Sequence, residues 1–239
     1  GLMLDLSRNG GGLLKASVDI SGLFLANGPV VAIAGPATGS KQVLEDTDKT
    51  INFSGPMVVA TSRVSASASE ILAGALKDYR RAIIVGDDHT FGKGTVQNIV
   101  SLPLGFGALK VTTAHFFRPG GQSTQNKGVA ADIIVPSRFN NEDYGERHQP
   151  YALPPKTIES FRGNEVNVTS KGQQWKVISD VDVKTLNDLS TERQRTNAEL
   201  LKVKKELEKA RRTKGLIKIS EILDDPERSK DHDDEEDVD

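Results

Sequence analysis

PMVVATSRVSASASEILAGALKDYRRAIIVGD, residues 56 to 87, carries the clearest fold signal in the chain. Met57 to Thr61 is a short apolar run, and Ser69 to Arg81 places apolar residues at helical spacing. Ala82 to Val85 is apolar again. Strand, helix and strand in this rhythm predict a crossover unit with two parallel strands, and so a layered α/β domain.

The neighbouring sequence extends the pattern. LMLDL reads as a buried strand, NGGG as the turn after it, and PVVAIAG as another strand. Between them, Leu14, Val18, Ser21 and Leu25 keep an approximately helical period that ends at Gly28. Residues 36 to 53 are polar and read as loop. VQNIVSLPL and ALKVTTAHFF form a predicted hairpin around Gly105 and Gly107, residues 118 to 128 a loop, and ADIIVP a last short strand.

Composition changes near residue 140. Turn and charged residues crowd SRFNNEDYGERHQP, residues 137 to 150, which predicts a boundary between a core of residues 1–140 and a mainly helical region of residues 141–239. Within residues 185 to 212 a long helix or helix pair is expected, with Leu200, Val203, Leu207 and Ala210 on one narrow apolar stripe. The stripe suits packing on a neighbouring helix better than a dimerising coiled coil. The final DHDDEEDVD reads as a solvated acidic tail.

Several classes of function are disfavoured. A net charge of −2 gives no sign of a nucleic-acid partner, and no apolar run is long enough to span a membrane. Without cysteine there is no disulfide and no thiolate metal site. The opening residues do not read as a signal peptide; they read as a strand entering a glycine loop, which predicts a fragment of a longer protein.

The small residues before the helix at 69 raise the chemical question. Ser67 and Glu70 fit the S-x-x-E capping box, which is a complete structural account of that serine. A nucleophile would also suit the position. Ala66 and Ala68 leave its backbone accessible, and a helix N-terminus offers free N–H groups and positive potential to a developing oxyanion. The base decides between the two. His148 and His232 lie in the expected linker and tail, His89 among loop aspartates and His115 in a strand, so a Ser-His-Asp triad has weak support.

Lys93, in FGKGTVQ, is better placed. It follows the second strand of the crossover unit, where the chain returns to the end of the sheet from which the helix starts. Gln97 lies within reach of its amine. A lysine serves as base only when neutral, and at a reference pKa of about 10.4 fewer than about one in a thousand is neutral at pH 7, so an apolar site must lower it. A surface turn is the plainer reading of the same heptapeptide. A phosphate-binding loop fails on the glycine spacing, on the residue after Lys93 and on the strand that follows.

With these residues in view, SASASEILAGALKDY, VGDDHTFGKGTVQ and KGVAADIIVP, preceded by DLSRNGGG, resemble the C-terminal processing peptidases, or tail-specific proteases. The region from about 145 onward resembles the helical C-terminal region of their long periplasmic type. The resemblance implies an α/β fold related to the crotonase and ClpP superfamily and a serine endopeptidase with a Ser-Lys pair. Ser67 would be the nucleophile, Lys93 the base and Gln97 its positioning partner. Ala68 N–H with a glycine of NGGG, Gly12 in preference to Gly11, would form the oxyanion hole. Asp78 would be structural, paired with Arg80 or Arg81.

The resemblance further implies protein or peptide substrates with apolar C-termini, an adaptor, a periplasmic or envelope location, no cofactor or metal, and a PDZ domain ahead of this region. Two departures stand out. Ser7 precedes Arg8 where the family has arginine directly after DL, and GDDHTFG is one residue longer than the usual loop. Two other readings stay open: a non-catalytic peptide-binding or scaffold fragment, and a crotonase-like acyl-CoA enzyme in which NGGG binds a thioester oxygen.

Overall fold

A computed structural model describes residues 1–35, 41–164, 166–167, 174–213 and 219. The acidic tail and the residues just before it lie outside the described residues.

Two four-stranded sheets enclose one buried helix. The first sheet is parallel, in the order β1 (Leu2–Asp5), β4 (Met57–Thr61), β5 (Ile83–Gly86) and β8 (Ile133–Ile134). The second is antiparallel, in the order β3 (Lys41–Asp46), β2 (Gly28–Ala34), β7 (Ala108–Phe117) and β6 (Thr95–Ser101). The layered α/β class is as expected, and β4, helix α2 (Ala68–Asp78) and β5 form the predicted crossover unit.

Helix α2 is apolar almost all round because both sheets cover it. Leu72, Ala73 and Leu76 pack with Met57, Val59 and Ile84 of the parallel sheet. Ile71 and Ala75 pack with Val30, Val31 and Phe116 of the antiparallel sheet, where Val18 of α1 (Leu14–Gly22) joins them. The N-terminus of α2 is therefore fixed from two sides.

Three elements differ from the sequence reading. Helix α1 stops at Gly22, and Leu25 reaches the core from the turn that follows. Part of the predicted loop at 36–53 is strand β3, an edge strand whose polar side chains hide its period. Between residue 141 and the start of the helix pair α3 (Asp180–Thr196) and α4 (Ala198–Thr213), the described chain holds no α-helix.

That intervening stretch lies on the core. Just before it Ser137 donates both N–H and hydroxyl to Asp87, and within it Glu146 N–H bonds the Phe91 carbonyl at 2.9 Å. Val166 and Trp175 are members of the main core cluster. Arg81, 2% exposed, stacks between Phe53 and Trp175 and donates to the Phe24 and Phe53 carbonyls. Burial lowers its pKa to about 10. In α4 the stripe Leu200, Val203, Leu207 and Ala210 is turned inward, with Leu207 buried.

Candidate active site

Of the three serines at the start of α2, only Ser67 is not buried. Ser65 donates to the Leu6 carbonyl and accepts Ser62 N–H, so it ties the entry loop to β1. Ser67 adopts φ 57°, ψ −116°, outside the common regions for a side-chain-bearing residue. Such backbone costs about 1–3 kcal/mol and persists where the surroundings enforce it.

Two sets of contacts enforce it. Arg63, 4% exposed, makes a two-toothed pair with Asp88 and gives its N–H to Asp87, fixing the end of β4 against the loop after β5. Gly11 lies directly over Ser67. A Cβ on Gly11, whose φ is +105°, would sit 2.7 Å from the Ala66 carbonyl oxygen and 2.9 Å from Ser67 Cβ. Only glycine allows that approach.

The capping box is half used. Ser67 N–H donates to Glu70 Oε2 at 2.8 Å. The Ser67 hydroxyl lies over Glu70 N–H, as the box requires, but closes no cap hydrogen bond; the Ser67 carbonyl takes that N–H at 2.9 Å. The hydroxyl is thus not committed to helix capping.

Glu70 does more than the motif indicates. It is wholly buried, and its Oε1 accepts from the Thr90 hydroxyl and from Gly92 N–H at 2.7 Å. Oε2 accepts Lys93 N–H at 2.9 Å as well as Ser67 N–H. Two bonds of that length to one oxygen hold the Ser67 and Lys93 backbone nitrogens within about 6 Å of each other. Burial pushes the Glu70 carboxyl up to about 7, against the four hydrogen bonds that favour its ionised form.

Lys93 and Gln97 line one cleft of about 560 Å³, with Thr95, Lys110 and Thr112 on the β6–β7 side and residues 149 to 153 on the other. Gly11, Gly12 and Ala68 line a separate, smaller pocket of about 120 Å³ with Leu6, Leu13 and Leu72. Ser67 adjoins both groups, through Gly11 on one side and through the shared Glu70 oxygen on the other. Gly11 N–H is taken by Asn9 Oδ1 at 2.9 Å. Among the described residues neither Gly12 N–H nor Ala68 N–H, the first of the helix, donates a hydrogen bond.

The remaining sequence candidates fall away from this cluster. His89 directs Nδ1 to the Thr90 carbonyl, and burial lowers its pKa; His115 is buried in β7. Asp78 is structural, but its partners are Arg118 at 3.1 Å and Gly120 N–H rather than Arg80 or Arg81. Arg80 pairs instead with Asp180. Glu70 and Thr90 belong to this cluster, which the sequence reading missed. The S-x-x-E spacing marked Glu70, but its second anchor is more than twenty residues away.

This fold, with a partly buried serine at a helix start tied to a glycine-flanked lysine, agrees with a match of the model for peptidase family S41 to residues 1–135. The chain belongs to peptidase family S41. It is 39% identical over 233 residues to a tail-specific protease of Haemophilus influenzae, covering 89% of this chain and 33% of that protein. It is 40% identical over 148 residues to a carboxy-terminal-processing protease of Bartonella bacilliformis, covering 60% of this chain and 33% of that one. Among solved structures it is similar to the photosystem II D1 C-terminal processing protease, with TM-score 0.53 and 39% identity over 57% of this chain and 34% of that one. The chain thus spans about a third of the length of these relatives.

Proposed function

We propose that this chain is the catalytic core of a serine endopeptidase that works through a Ser67–Lys93 pair. The observation that carries the reading is the single Glu70 oxygen that receives both Ser67 N–H and Lys93 N–H. A capping glutamate needs only the first bond; the second serves to fix a lysine-bearing loop beside a serine. Neutral Lys93 takes the Ser67 proton as the hydroxyl attacks the scissile carbonyl, and an acyl-enzyme forms. The protonated amine then passes that proton to the leaving amine, and water completes the cycle with the same base. Gly12 N–H and Ala68 N–H are the oxyanion donors in this scheme, each contributing about 3 kcal/mol to barrier lowering. Gln97 orients the amine from β6.

Recognition of apolar C-terminal tails, delivery by an adaptor and a periplasmic location complete the proposal. They rest on the resemblance to the long tail-specific proteases and on a chain in which, among the described residues, no helix is long and apolar enough to cross a membrane. The test is covalent labelling by a fluorophosphonate followed by peptide mass spectrometry. Modification of Ser67 that disappears in Lys93→Ala is expected. Labelling that is indifferent to Lys93, or absent in the unsubstituted protein, refutes the pair. A scaffold fragment would fail to label, and an acyl-CoA enzyme would tolerate loss of Lys93.

A further inference from the structure

The β6–β7 hairpin is an arm. Among the described residues, strand β7 meets β2 only at His115, Phe116 and Phe117, and residues 108 to 114 pair with β6 alone. At about 3.4 Å per residue the arm projects roughly 20 Å beyond the sheet. From Gly94 to Leu109 it carries no charged side chain. Ile99, Leu104 and Phe106 are 74%, 91% and 75% exposed.

Three features point to what covers it. Strand β6 ends the sheet order, so every second residue turns its backbone N–H and C=O outward. Edge strands are ordinarily blunted by lysine, proline, short length or a bulge; β6 has seven residues and neither lysine nor proline, and its one register shift, at Val96/Gln97, leaves Asn98 to Ser101 in regular pairing. Its base is the cleft itself: β6 begins two residues after Lys93, and Thr95 and Gln97 line the same space as Lys93. A chain laid along β6 from its tip would be delivered to the Lys93 end of the cleft.

We propose that the β6 edge takes an extended, unfolded, apolar polypeptide as an added strand and leads it to Lys93, a role that rests on the peptidase reading. Backbone pairing would supply sequence-tolerant affinity, and Ile99, Leu104 and Phe106 would favour apolar side chains on the incoming strand.

The test uses the full chain with Ser67→Ala, so that nothing is cleaved, and a fluorescein-labelled peptide of alternating Val and Ser read by anisotropy. Adding Ile99→Ser, Leu104→Ser and Phe106→Ser, all at exposed positions, should weaken binding about tenfold or more, as should N-methylation of alternate peptide amides. Fluorophosphonate labelling of Ser67 in the chain bearing only the arm substitutions should be unchanged. Equal affinity with and without the arm substitutions, or no binding at all, overturns the proposal. So does an arm variant that loses only self-association in sedimentation, which would give the arm to a second copy of the chain. Arm-dependent binding in a chain whose Ser67 never labels would keep the arm and sink the Ser-Lys pair.

Discussion

Glu70→Gln separates two effects that oppose each other at one carboxyl. In the folded chain the group titrates at about 7, against an ordinary 4.5, because it is fully buried. The folded state therefore holds its proton more tightly than the unfolded state, and stability from this group is lost as pH rises from about 4.5 to about 7. A gap of about 2.5 pH units at about 1.4 kcal/mol each amounts to roughly 3 kcal/mol. The form that accepts four donors and orders Ser67 and Lys93 is the ionised one, so site order is gained where stability is lost. Urea unfolding at pH 5 and pH 8 should show the unsubstituted chain losing stability relative to Glu70→Gln by a few kcal/mol. Fluorophosphonate labelling should rise more steeply over the same interval in the unsubstituted chain than in Glu70→Gln. A stability difference between the two chains that stays constant from pH 5 to pH 8 would refute the reasoning.

Further outcomes follow from the same contacts. Ser67→Ala should abolish peptide cleavage while changing unfolding free energy by less than about 0.5 kcal/mol, since the hydroxyl closes no cap bond. Lys93→Arg should be as inactive, read by the same cleavage assay, because guanidinium does not deprotonate near neutral pH. Gly11→Ala should lose labelling of Ser67 and about 1–3 kcal/mol of stability, from strained backbone and the 2.7 Å approach to the Ala66 carbonyl. Asp78→Asn should cost about 3 kcal/mol in urea unfolding, because Arg118 is left buried without its carboxylate.

Periodic elements were legible because burial repeats along them. Helix α2 and strands β4 and β5 each show a continuous apolar signal, and Leu200, Val203, Leu207 and Ala210 hold their inward stripe. Strand β3 was not, since an edge strand half open to water has no apolar alternation to read. The stretch after residue 140 binds the core through backbone groups and single large side chains, which leave no period in sequence. At the site, local spacing marked Ser67 and Glu70 as a pair. The reach of Glu70 to Thr90, Gly92 and Lys93, and of Asp78 to Arg118, depends on chain crossings that no nearest-neighbour pattern encodes.

The seat of Trp175 bears on where this protein can be cut. Removing everything after residue 140 would strip the indole from one face of the Arg81 guanidinium and take Val166 out of the main apolar cluster. It would also delete Glu146, whose N–H meets the Phe91 carbonyl two residues before Lys93. The smallest piece that keeps both the lysine loop's outer contact and the cover of Arg81 therefore ends no earlier than Trp175, some forty residues past the point where the family signature stops.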